Sequence, residues 1–193
     1  QDTSGNNIIN ESSDTITIGA SGDTIALAGT TVTGITQGIT MADSWRLTST
    51  YESASGNSTA DLTSNWERTD TYGFGQIGTG MTESSGIFTF PSTGIYYINF
   101  NTSAYAHGGA REWIGAQIKT TTDNSNYNLA SLSYQHAAVN NQYGSPTVDF
   151  IFDVTNISTH KVKFAVQDPN PVRYEGDTNI DKTCVRFIRL GDT

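Results

Sequence analysis

The chain has 193 residues and a net charge of −9, with 35% hydrophobic and only 15% charged residues. That acidic balance excludes a nucleic-acid-binding surface, which needs clustered Lys and Arg. A single cysteine, Cys184, excludes an intrachain disulfide, and no apolar run approaches the ~20 residues of a membrane-spanning helix. In place of charge the sequence carries Ser, Thr, Asn and Gly, residue types that suit pleated surfaces and turns better than helices.

Residues 1–41 form the first unit, a short β-repeat. Asp14-Thr-Ile-Thr-Ile-Gly-Ala-Ser-Gly22 is followed by Asp23-Thr-Ile-Ala-Leu-Ala-Gly29, and Thr31-Val-Thr-Gly-Ile-Thr-Gln-Gly-Ile39 echoes both. Each repeat is one short strand with a glycine turn, and such a unit cannot bury its apolar face alone. The charge pattern supports a boundary. The first basic residue is Arg46, so residues 1–45 carry only Asp2, Glu11, Asp14, Asp23 and Asp43. An intertwined stalk of three chains or a flexible linker is expected here, serving attachment to other proteins.

Residues 42–193 read as one all-β domain. Strands are expected over 45–51 and 65–69, followed by the glycine-rich 72–80. That segment brushes against phosphate-loop patterns but lacks the Gly-Lys-Ser/Thr ending and reads as a loop or bulged strand. Ile87-Phe-Thr-Phe90 and Gly94-Ile-Tyr-Tyr-Ile-Asn-Phe100 read as a hairpin joined by the turn Pro91-Ser-Thr-Gly94 and extending to 104–106. Alternation places Tyr96, Ile98 and Phe100 on one face and Tyr97, Asn99 and Asn101 on the other. Further strands are expected over 112–119, 127–137, 147–154, 161–167 and 183–190. About eight strands at this spacing predict an antiparallel sandwich or jelly roll. Phe88, Phe90, Tyr96, Phe100, Phe150, Phe152 and Phe164 are the expected core, and Cys184 is expected to be a buried thiol.

The chemistry-bearing residues are few. His107, His136 and His160 have no zinc spacing, and no nucleophile elbow is present. A glycosidase pair of carboxylates has no candidate that stands out by spacing. Asp177-Thr-Asn-Ile-Asp181 places oxygen side chains at alternate positions, as calcium loops do, so Asp177, Asn179 and Asp181 are the candidate metal ligands, with Asx turns as the alternative. Calcium is thus the one cofactor considered. Tyr97, Tyr105, Trp113, Tyr127, Tyr134, Tyr143 and Tyr174 sit beside Asn, Gln or loops and are the candidates for a receptor or subunit interface.

The pattern Gly86-x-Phe-x-Phe-Pro-x-x-Gly-x-Tyr-x-Ile-x-Phe100 resembles the jelly-roll heads of complement component 1q and tumour necrosis factor. The stretch Ile77-Gly-Thr-Gly-Met-Thr-Glu-Ser-Ser-Gly-Ile-Phe-Thr-Phe-Pro-Ser-Thr-Gly94, with the preceding Asp-Thr-Ile repeats, is similar to versions of this domain in structural proteins of marine tailed phages. The resemblance implies a non-enzymatic homotrimeric head. It implies a place on the virion surface after assembly in the host cytoplasm, decorating a capsid or tipping a fibre or spike. It also implies contact with other virion proteins through residues 1–41 and, at loops 53–59, 107–111, 135–145 and 170–180, with a host glycan or surface protein. Neither nucleic acid nor membrane insertion is expected. The rival readings are a secreted adhesin or lectin, which the missing disulfides and signal pattern count against, and a polysaccharide depolymerase.

Overall fold

In a computed structural model the described residues are 38–54, 58–169 and 171–193. The repeats before residue 38 and the middle of loop 53–59 lie outside them. No helix occurs among the described residues. Their strands are β1 (Ala42–Leu47), β2 (Tyr51–Glu52), β3 (Ser58–Asp61), β4 (Trp66–Arg68), β5 (Thr82–Ser84), β6 (Ile87–Thr89), β7 (Gly94–Asn101) and β8 (Ala104–Ala106). They continue with β9 (Arg111–Thr121), β10 (Asn128–Ala137), β11 (Tyr143–Gly144), β12 (Thr147–Val154), β13 (Lys161–Asp168), β14 (Val172–Tyr174) and β15 (Cys184–Gly191).

Two antiparallel sheets make a jelly-roll sandwich. One has the order β12-β7-β15-β1-β4. The other has the order β10-β9-β13-β6-β5, with β3 also paired to β13. A small sheet, β11-β8-β14-β2, continues from them. The strict alternation of β7 explains its place. Tyr96, Ile98 and Phe100 are fully buried, whereas Ile95, Tyr97 and Asn99 face outward. Opposite them, Val162, Phe164 and Val166 of β13 and Ile114, Ala116 and Ile118 of β9 supply the facing core.

Phe88 sits at the centre of that core. Its ring centroid lies 5.4 Å from those of Trp66, Phe164 and Phe187, and 5.6 Å from that of Trp45. These partners come from β4, β13, β15 and β1, so one side chain touches both sheets. Offset and edge-to-face pairs of this kind add to plain area burial.

The structure corrects the sequence reading at β6 and β7. They do not pair as a hairpin, because β6 belongs to one sheet and β7 to the other. Residues 90–94 form a corner that crosses the sandwich. Phe90 and Tyr96 both point into the core, with centroids 4.7 Å apart. The Tyr96 hydroxyl donates to the Ser92 carbonyl at 2.9 Å and fastens the corner. Gly94 has φ +143°, and a Cβ there would meet the Gly191 carbonyl oxygen at 2.6 Å, so glycine is needed for space as well as for conformation. The true hairpin is β5–β6. Ser85 and Gly86 have φ of 53° and 78°, the two positive values of a type I′ turn.

The count of about eight strands is also too low. Fifteen are present among the described residues, the extra ones mostly two to four residues long. The segment 104–106 does not extend β7 but enters the small sheet as β8. Thr59 belongs to β3 and not to a loop. Of the expected core aromatics, Phe150 alone is only partly buried.

Phe88→Ala is expected to destabilise the domain by about 3–5 kcal/mol, as a large-to-small change at a site that cannot collapse. Chemical denaturation checks this, with Tyr97→Ala, on the outer face, as the control that stays far below that cost.

Candidate functional site

The outer face of the β12-β7-β15-β1-β4 sheet carries an apolar row. Register places Ile151 beside Tyr97, Tyr97 beside Ile188, Ile188 beside Ala42, and Ala42 bridges to Ile77. Partners across a sheet point to one face, so the five side chains form a line across it. The neighbouring row is Asp149, Asn99, Arg186 and Ser44. Acidic side chains, Asp149 and Asp153, therefore flank Ile151 at the β12 end of the face, and the cation Arg186 sits two strands away.

The edge formed by β10 and β12 is also apolar. Both strands end their sheets, so each leaves one side of its backbone unpaired among the described residues. Leu129, Leu132, Tyr134, Val139, Tyr143 and Ile151 lie on these strands or between them. They are six of the twelve large apolar or aromatic side chains exposed among the described residues. Six such side chains within residues 129–151 make this stretch a candidate interaction surface. Sequence reasoning named the tyrosines here but missed Ile151 and Ile188. The available signal was an isoleucine in the polar phase of an alternating strand, Asp149-Phe-Ile-Phe-Asp153.

The candidate aromatics fall into separate groups. Tyr105 and Tyr143 are cross-strand partners in the small sheet, with centroids 4.9 Å apart. Trp113 packs edge-on against Tyr134 at 5.1 Å, and Tyr134 donates its hydroxyl to Gln167 Oε1 at 3.0 Å. Gln167 Oε1 also accepts from Gln117 Nε2 at 2.8 Å, so this aromatic and amide patch is held in one arrangement. Tyr127 lies under the Lys163 ammonium, 4.2 Å from its ring centroid. Tyr97 stands alone in the row described above.

Tyr174 is a correction, because it is fully buried and has no surface to offer a partner. Its hydroxyl donates to Asp168 Oδ2 at 3.2 Å, and Ser53 Oγ donates to Asp168 Oδ1 at 2.9 Å. Burial, and then the Asp168 charge, push the Tyr174 hydroxyl pKa far upward. Arg111 is equally committed, with its guanidinium donating to the carbonyls of His107, Gly109, Ala110 and Pro171. It clamps loop 107–111 to residue 171 and has no donor left for an anion. Burial raises the Cys184 thiol to about 11, as for an inert core cysteine.

Of the two readings of residues 177–181, Asp177 makes the Asx turn. Asp177 Oδ1 accepts the N–H groups of Asn179 at 2.8 Å and Ile180 at 3.2 Å, an Asx turn. Asp181 turns elsewhere and accepts from Thr69 Oγ1 at 3.0 Å, Ser44 Oγ at 3.3 Å and Arg186 Nη2 at 3.4 Å. No group of three His, Cys, Asp or Glu side chains placed to hold a metal ion occurs among the described residues. Asp181 instead belongs to a cluster around Arg46. That side chain is fully buried although it sits on the outer face of the sheet. It pairs with Glu67 at 2.8 Å and Asp70 at 2.7 Å, and reaches Asp181 at 3.8 Å.

No family model matches the sequence, and no curated protein matches it. Solved structures match in fold. Eiger TNF from S. frugiperda superposes with a TM-score of 0.59 at 13% identity, covering 80% of this chain and 95% of that one. Murine APRIL at pH 5.0 gives a TM-score of 0.56 at 11% identity, covering 78% of this chain and 98% of that one. The fold is thus a jelly roll of the tumour-necrosis-factor type.

The Asx turn at Asp177 has a testable pH signature. The N–H of Asn179, then that of Ile180, hold the Asp177 carboxyl below its usual range. Its contribution is present above the unfolded value near ~4 and is lost as pH falls through the lower folded value. Asp177→Ala should therefore lower Tm at pH 7 and converge with the parent in acid. A chelator should move neither curve, and a calcium-dependent Tm would contradict this assignment.

Proposed function

We propose that the chain is a non-enzymatic virion surface head that assembles as a homotrimer, decorating a capsid or tipping a fibre. The carrying observation is the pair of unlike apolar surfaces, the row Ile151–Tyr97–Ile188–Ala42–Ile77 and the exposed Leu129, Leu132, Tyr134, Val139 and Tyr143 on and after β10. Surfaces that differ in shape are not self-complementary, which disfavours a two-fold dimer and favours head-to-tail contact. Charge runs the same way, because a head-to-tail contact brings Asp149 and Asp153 of one copy toward Arg186 of the next. A head-to-tail contact must close into a ring or run on as a filament. Closure into three also covers the two unpaired strand edges.

The virion reading is supported by the sequence likeness of residues 77–94 and of the Asp-Thr-Ile repeats to phage structural proteins. Residues 1–41 would make the contact with other virion proteins. A non-enzymatic role is supported by how the carboxylates are used. Asp43, Asp61, Glu67, Asp168 and Asp181 are each engaged by a cation or a hydroxyl of the domain itself. Host binding would come from the loops, with three weak sites raising avidity by ~10² or more.

Light scattering of the full chain should give about three times the 20.8 kDa chain mass. Ile151→Lys and Ile188→Lys should each yield a monomer whose circular dichroism is still that of a folded β domain. A parent chain that is monomeric at micromolar concentration would contradict the proposal. So would host polysaccharide that shortens on incubation.

A further inference from the structure

A cleft of about 370 Å3 opens between the Gly-rich loop after β4 and the loop before β15, lined by Thr69, Thr71, Tyr72, Phe74, Ile180 and Asp181 among others. Its most telling side chain is Tyr72, which is 86% exposed and has φ +54°. A bulky residue in the left-handed region is a conformational outlier, and glycine or asparagine would sit there at lower cost. The ring repays none of that cost by burial. Ile180, on the opposite wall, is 55% exposed.

The two walls are fixed to each other by the buried Arg46. Its Nη1 donates to Thr71 Oγ1 at 2.8 Å and its Nη2 to the Thr178 carbonyl, while Thr71 Oγ1 donates to the Asn179 carbonyl at 2.8 Å. The cleft is therefore preformed, which lowers the ordering cost of binding. Its charge selects among ligands. Arg46 has its donors committed to Glu67, Asp70, Thr71 and Thr178. The lining carboxylate, Asp181, remains in place and disfavours an anion. What fits is a ligand with one apolar face for Tyr72 and hydroxyls for Asp181 and Asn179.

We propose that this cleft is a binding site for a neutral carbohydrate, with one pyranose ring stacked on Tyr72 and its hydroxyls hydrogen-bonded at Asp181 and Asn179. The inference rests on the host-binding part of the function proposed above. A carbohydrate of the anionic kind, carrying sialic or uronic acid, is disfavoured by the same carboxylate.

The test uses the full chain, titrated with neutral hexose and N-acetylhexosamine oligosaccharides and with a sialylated oligosaccharide. The parent should bind a neutral probe and not the sialylated one. Tyr72→Gly removes the ring and suits the backbone, so Tm should hold or rise while affinity falls about tenfold or more. Tyr72→Phe, which keeps the stacking face, should retain binding. Unchanged affinity in Tyr72→Gly would overturn the cleft while leaving host binding through other loops standing. No binding of any probe by the parent would overturn both this site and the carbohydrate part of the host-binding reading. A change in assembled mass on Tyr72→Gly would mean that the ring contacts a second copy, and would also overturn the proposal.

Discussion

The fold depends on one interlock, the wedging of Phe88 between the two sheets. Its ring is in contact range of Trp45, Trp66, Phe164 and Phe187, which four different strands deliver. The corner at residues 90–94 follows from the same constraint. Phe90 and Tyr96 must both enter the core, and the chain must change sheets between them. Pro91 cannot donate to a ladder and Gly94 has no Cβ, so neither residue resists that crossing. With the inner faces committed in this way, the outer faces are free to diverge, and the apolar row and the cleft belong to them.

Much of this is legible in the sequence. The alternation in β7 and β12 was plain, because a half-buried strand has period two and Phe, Ile and Tyr mark its inner phase. The pairing of β6 was not. Proline and glycine punctuate a tight hairpin and a sheet-crossing corner alike, so turn chemistry located the bend without saying which strands it joined. The short strands β2, β8, β11 and β14 span two or three residues, too few to show a period.

The site was less legible for a similar reason. Arg46 looks like an ordinary strand residue, because its partners lie 21 to 132 positions away. Tyr174 resembled a surface aromatic until Asp168 and Ser53 enclosed it. Asp177 and Asp181 share a spacing with metal loops, yet one carboxylate caps its own turn and the other turns toward Thr69 and Ser44. For Arg46, Ser53 and Asp181 the deciding contact is long-range, and local spacing carries no trace of it, whereas the Asp177 turn is local and its Asx spacing is readable. Ile151 is the opposite case. Its exposure followed from the phase of its own strand, and the apolar row could have been anticipated from it.

The central claim is that copies of this chain close around a three-fold axis through the apolar row and the β10–β12 edge. Electron cryomicroscopy of the assembled chain tests it most directly. The account predicts three copies with Ile151 and Ile188 buried between neighbours and Asp149 facing Arg186 of the adjacent copy. An assembly that leaves this face open to solvent, or that joins copies across a two-fold axis, would contradict it.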